Sequence, residues 1–165
     1  MLLWTIAESV SQFGWSMKPF SLLTQSVPQE LRQCVCPVPA DFLFQTYQNF
    51  GGVETGDQMV GRMTERWPQP ISRLARWVVQ RQVVNFHWHG TLYLPLFQFD
   101  LSCAWLRNEV PRVMDMLPRN FDDEEVAEWF ARPSGLLEGD IPAHALLERH
   151  TAVMEAARAT RFLCQ

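Results

Sequence analysis

The sequence predicts a mostly α-helical protein with a small β-hairpin, built as a winged helix-turn-helix segment followed by a compact helical domain. Three observations carry this. Two stretches with helical spacing, "VETGDQMVGRMTERW" and "ISRLARWVVQRQ", flank the turn Pro68–Pro70. Directly after them, "VVNFHWHGTLYLP" sets strand formers on both sides of His89-Gly90. From Pro111 onward, helical runs are punctuated by Pro118, Pro133, Gly135, Gly139 and Pro142. The chain divides accordingly into an N-terminal arm of unknown role (1–50), a helix-turn-helix with a hairpin wing (51–99) and a helical domain (100–165).

Taken in order, residues 1–40 hold four prolines and one short helical candidate near Gln29–Gln33, the composition of an irregular or wrapping arm. "PADFLFQTYQNFGG" reads as a helix capped by Asp41, with Phe42, Phe44 and Tyr47 clustered and Gly51-Gly52 as its stop. In the next helix Thr55 or Asp57 is the cap, and Met59, Val60 and Met63 form the apolar side. In "ISRLARWVVQRQ", steps of three and four place Ile71, Leu74, Ala75 and Val78 on one face. Arg73, Arg76 and Gln80 fall on another, with Arg81 adjoining. After the hairpin, "LFQFD" is extended, and Pro111 suits the first turn of a helix covering Val113, Met114 and Leu117. Asp122 or Asp123 caps "EEVAEWFARP", where the four acids from Asp122 to Glu125 favour the positive end of a helix dipole. A final mostly helical segment takes its apolar positions from Ala145, Leu146, Leu147, Val153, Ala156 and Ala157.

The charge distribution bears on function. The net charge is −4, yet residues 60–90 carry five arginines against Glu65 alone, a local +4 between two acidic ends. A helix pair whose second member buries one face and offers Arg73, Arg76, Gln80 and Arg81 on the other has the outline of a DNA-reading element. A solvated amphipathic helix on any helical protein has the same pattern. With 47% hydrophobic residues, the chain can fill a core, and its seven Trp serve either that core or an interface.

Other chemistry is missing. There is no nucleophile elbow, phosphate-binding loop, dinucleotide fingerprint or zinc-protease motif, so no catalytic residue and no cofactor are assigned. His87 and His89 alternate along a strand, but no third and fourth metal ligand stands nearby. Cys34, Cys36, Cys103 and Cys164 form no CxxC pair and read as thiols of a reducing compartment. "MLLWTIAESVSQFGW" has no basic leader and contains Glu8, and no apolar run approaches the ~20 residues of a membrane span. A cytoplasmic protein with no membrane partner is expected.

The segment "WFARPSGLLEGDIPAHALLE…AVMEAARA" carries a resemblance. Through Trp129, Phe130, Pro133, Leu137, Gly139, Pro142, Leu146, Leu147, Val153, Ala156, Ala157 and Arg158 it resembles the C-terminal toxin-binding domain of the Xre/MbcA/ParS antitoxin family. Ser134 stands where that family usually has asparagine, and His144 where its proline box usually has aspartate. The hairpin and the Pro95, Gln98, Phe99 element are similar to what precedes that domain, and residues 51–79 to its helix-turn-helix. The resemblance implies a bacterial antitoxin, often a homodimer, that blocks a partner toxin, commonly a RES-domain enzyme degrading NAD, and can repress its operon by binding operator DNA. Trp129, Arg132, Ser134, Leu137, Asp140 and Arg158 are then the partner-binding candidates. If Trp129 is core, the partner contacts shift to Ser134–Asp140 and the extreme C-terminus. Two other classes stay open: a DNA-binding regulator without a toxin, and an interaction module whose helix-turn-helix is purely structural.

Overall fold

The computed structural model describes residues 39–164. The arm's helical candidate at Gln29–Gln33 and the thiols Cys34 and Cys36 lie outside the described residues. The first helix, α1 (Ala40–Gln48), turns Leu43 and Tyr47 into the core. Asp41 sits in its first turn, not at the cap, which is Pro39. A short strand β1 (Val53–Thr55) leads into α2 (Gly56–Thr64), which buries Met59 and Met63. Thr55 closes a reciprocal capping box: its hydroxyl accepts from the Gln58 amide, and the Gln58 side chain accepts from the Thr55 amide. Thr55→Ala is expected to cost about 1 kcal/mol, read as a lower denaturant midpoint; an unchanged midpoint would show that the cap contributes nothing.

Helix α3 (Pro70–Val79) follows, entered through Gln69 in the left-handed region. Its inward face differs from the expected one. Leu74 and Trp77 are buried, whereas Ile71 is 69% exposed and Ala75 is exposed as well. The cause is Trp77, whose ring meets Phe99 and Trp105 at 6.2 and 5.7 Å. Burying that large ring removes more surface from water than burying Ile71, and it rotates the helix accordingly. Strands β2 (Phe86–Trp88) and β3 (Thr91–Pro95) pair antiparallel across the two-residue turn His89-Gly90, both residues having positive φ. Val83 and Val84, expected within the first strand, are buried just ahead of it. β1 pairs with the far side of β3, giving the sheet order β1-β3-β2. Helix, strand, helix, helix and hairpin with this sheet order is the winged helix-turn-helix arrangement.

The second half begins with a single 3-10 turn at Leu96–Gln98 and a two-stranded sheet, β4 (Phe99–Asp100) with β5 (Trp105–Leu106). Gln98 is fully buried and serves as a backbone bracket. Its Oε1 accepts from the Val84 amide at 2.7 Å, and its Nε2 donates to the carbonyls of Val84 and Pro95 at 2.7 and 2.9 Å. Four helices complete the chain: α4 (Glu109–Met116), α5 (Asp123–Ala131), α6 (Pro142–Glu148) and α7 (His150–Leu163). Pro111 lies in the first turn of α4, and Asp122 caps α5 in a box with Glu125. The last segment is two helices, broken at Arg149, and Leu147 is exposed on the first of them.

The two halves share one core. The described residues, 39–164, fall within one compact unit, and α1 is part of it. Its Tyr47 hydroxyl donates to the Ala127 carbonyl in α5 at 2.6 Å, and burial pushes the phenol well above its ordinary pKa. Phe44 packs edge-on against Phe86, Trp88 and Tyr93 at 4.9–5.4 Å, fastening α1 to the hairpin.

Candidate functional site

Two surfaces hold the residues singled out from the sequence. The first is α3 with the wing. Arg76 and Gln80 are exposed there, as expected. Arg73 is not available in the same way: its guanidinium carbon lies 4.7 Å from the Trp67 ring centroid and 5.1 Å from that of Trp105. Its Nε is shut off from solvent. Arg81 is also occupied, donating to the carbonyls of Arg119 at 2.9 Å and Phe121 at 2.7 Å. Arg62 forks onto Glu54 at 2.8 Å. Three of the five arginines behind the local +4 are thus engaged within the fold, and Arg66 and Arg76 are those whose side chains make no ion pair, hydrogen bond or ring contact among the described residues.

The wing is tied down as well. The His87 amide, on the outer edge of β2, donates to Glu124 of α5 at 3.1 Å. The acidic first turn of α5 therefore lies against the hairpin, where its charge opposes an approaching phosphate. The remaining outward face of α3 carries Ile71 and Val79, 69% and 83% exposed, beside Arg76 and Gln80. Arg73→Ala is expected to lower stability by about 1–2 kcal/mol through loss of the stacked cation, while Arg76→Ala leaves the denaturant midpoint unchanged. Equal midpoints for the two variants would contradict the assignment.

The second surface is the loop between α5 and α6. Arg132 ends α5, and Ser134 caps a 3-10 turn at Gly135–Leu137 by accepting from the Leu136 amide at 3.3 Å. Glu138 and Gly139 then take positive φ, 61° and 90°, and reverse the chain. The Ser134 amide donates to the Asp140 carbonyl at 3.0 Å, and the Ser134 carbonyl accepts from the amides of Leu137 and Gly139 at 3.0 and 2.9 Å. Arg149, at the α6–α7 break, pairs with Asp140 and lies 3.8 Å from Glu138. Pro142 opens α6 at its first turn. The two breaks in the sequence thus enclose a loop closed by its own backbone.

Trp129, Arg132, Pro133, Ser134, Gly135 and Leu136 line a cavity of about 410 Å³ on this loop. Trp129 is half-buried, donating from its indole to the Thr160 hydroxyl at 3.1 Å and packing edge-on to Phe130 at 4.9 Å. Arg132 reaches back one turn to the buried Glu128 at 3.2 Å. Three of the six sequence candidates (Trp129, Arg132 and Ser134) are thereby brought together. Leu137 is not a surface residue: it is 1% exposed and anchors the loop from beneath. Asp140 is spent on Arg149 at the base of the loop. Arg158 lies elsewhere, its Nε 3.3 Å from the Met116 sulfur on α4. Leu136, 54% exposed at the rim, lies within the Ser134–Asp140 segment but is not among the six residues singled out by name. Of the adjacent pair Leu136-Leu137, the turn buries only the second.

Among the described residues, no group of three or more His, Cys, Asp or Glu is placed to hold a metal ion. No described helix is long and apolar enough to cross a membrane. No family model matches the chain, and neither does any curated protein or solved structure.

Proposed function

We propose that the protein is an antitoxin-like binder that neutralises a partner toxin through the α5–α6 loop. The observation that carries this reading is the loop's architecture. An exposed leucine, a half-buried tryptophan and an arginine converge on one cavity, on a backbone already fixed by its own hydrogen bonds. Aromatic and arginine anchors on a preorganised loop are the composition of an interaction hot spot, because little ordering entropy remains to be lost on binding. The resemblance of Trp129–Arg158 to the toxin-binding domain supplies the class of partner, with a RES-type NAD-degrading enzyme first among them. Homodimerisation, which the resemblance also implies, is supported by the exposed Ile71 and Val79 on α3. No catalytic role is proposed.

The test is growth rescue. Co-expressing the full chain with the product of the neighbouring gene is expected to restore growth that the neighbour alone arrests. Persistent arrest, with both proteins present and soluble, would sink the toxin-neutralising reading.

A second reading, a DNA-binding regulator acting with or without a toxin, has the sheet order β1-β3-β2 and the exposed Arg76 and Gln80 in its favour. Operator binding would then rest on Arg76, Gln80 and Arg66. Arg73 and Arg81 would position α3 and not touch phosphate. Arg76→Ala should weaken DNA binding about tenfold and lower its salt slope by about one. An unchanged salt slope would remove α3 from the DNA interface.

A further inference from the structure

A second cavity, of about 490 Å³, lies where the end of α1, the 3-10 turn and the β4–β5 hairpin face α6. That volume is within the range of small-molecule sites. Phe50 and Phe97 contribute to its wall, and Leu101 and Leu147, 44% and 57% exposed, stand at its rim. Two charged side chains, Arg107 and Asp100, line the same space.

The Arg107 charge acts on Asp100, but no ion pair joins the two side chains among the described residues. The Arg107 Nε is shut off from solvent with no hydrogen-bond partner. Its guanidinium has no hydrogen bond or ion pair among the described residues. The Nε therefore faces the protein and not the open cavity; the terminal nitrogens, which make no hydrogen bond among the described residues, are the donors a ligand can meet there. Asp100 is held in place by Ser102, whose amide and hydroxyl donate to Oδ1 at 2.9 and 2.6 Å. Those hydrogen bonds, and to a lesser degree the Arg107 charge, keep the carboxyl below its ordinary pKa, so Asp100 is ionised at neutral pH. A simple anion drawn to Arg107 would be opposed by Asp100, and a simple amine drawn to Asp100 would be opposed by Arg107. A molecule carrying both charges on adjacent atoms satisfies both.

We propose that this cavity binds a small apolar zwitterion, of the class of a free aromatic or branched α-amino acid. Its carboxylate lies on Arg107, its ammonium on Asp100, and its side chain against Phe50 and Phe97 with Leu101 and Leu147 closing over it. The site is separate from the α5–α6 loop and does not depend on the partner reading.

Three probes separate the contributions: phenylalanine, phenylacetate, which lacks the ammonium, and phenethylamine, which lacks the carboxylate. Titrated into the full chain at millimolar concentrations, phenylalanine is expected to shift the amide NMR signals of Phe50, Leu101, Arg107 and Leu147. Phenylacetate and phenethylamine should each bind about tenfold more weakly, the loss of one charge-assisted contact. Arg107→Gln and Asp100→Asn should each weaken phenylalanine binding by a similar factor. The probe series on the unaltered chain gives its answer even if a variant misfolds. Absence of shifts with phenylalanine would overturn the proposal. So would phenylacetate binding as tightly as phenylalanine, or folded variants binding like the parent.

Discussion

Gln98→Leu is expected to destabilise the protein by about 3–5 kcal/mol, because each buried backbone group left without a partner costs about 1–3 kcal/mol. Three such groups depend on this side chain: the amide and carbonyl of Val84 and the carbonyl of Pro95. Leucine fills most of the volume, so the loss reports the hydrogen bonds and not a cavity. The bracket joins the segment between α3 and β2 to the turn that opens the second half. Its loss should therefore melt both halves together. Denaturation followed by tryptophan fluorescence and by far-ultraviolet circular dichroism should give coincident curves, shifted equally. A loss below about 1 kcal/mol would show that the bracket is redundant; separated curves would show that the halves unfold independently.

Phe130→Ala is expected to cost about 3–5 kcal/mol, the range for deleting a buried aromatic side chain. Phe130 is fully buried, with Phe97 at 5.5 Å on one side and Trp129 at 4.9 Å on the other. It fixes the ring that lines the loop cavity, so the same substitution should loosen Trp129 and shift its fluorescence toward the solvent-exposed range. Phe130→Leu keeps most of the buried area and should cost less than half as much. Equal losses for the two variants would mean that Phe130 acts through something other than packing.

How much of this was legible in the sequence depended on range. Thr55 with Gln58, and Asp122 with Glu125, are capping boxes whose partners lie three residues apart, and both helix starts stood out. His89-Gly90 marked the hairpin because a two-residue reversal needs positive φ. The prolines and glycines of the α5–α6 loop likewise announced its breaks. What failed depended on distant contacts. β1 is three residues long, and it becomes a strand by pairing with Val53↔Pro95 and Thr55↔Tyr93 across the whole helix-turn-helix. The face of α3 was set by Trp77 meeting Trp105, and Arg73 was drawn inward by Trp67 and Trp105. Periodicity within the helix cannot record these, since it treats Ile71 as the better core residue. Leu137 has the same lesson for the site: its chemistry suits an interface, but the backbone closure between Ser134 and Asp140 turns it inward and leaves Leu136 outside.

The proposed binding of a partner at the α5–α6 loop is open to a comparison of affinities. The full chain, Leu136→Asp and Leu101→Asp would each be titrated against the purified product of the neighbouring gene. Both leucines are exposed, so neither substitution disturbs the core, but only Leu136 lines the loop cavity. Leu136→Asp is expected to weaken the complex about a hundredfold, the loss of a hot-spot contact of about 2–3 kcal/mol, while Leu101→Asp binds like the parent. Parental affinity for Leu136→Asp, or an equal loss from both variants, would contradict it.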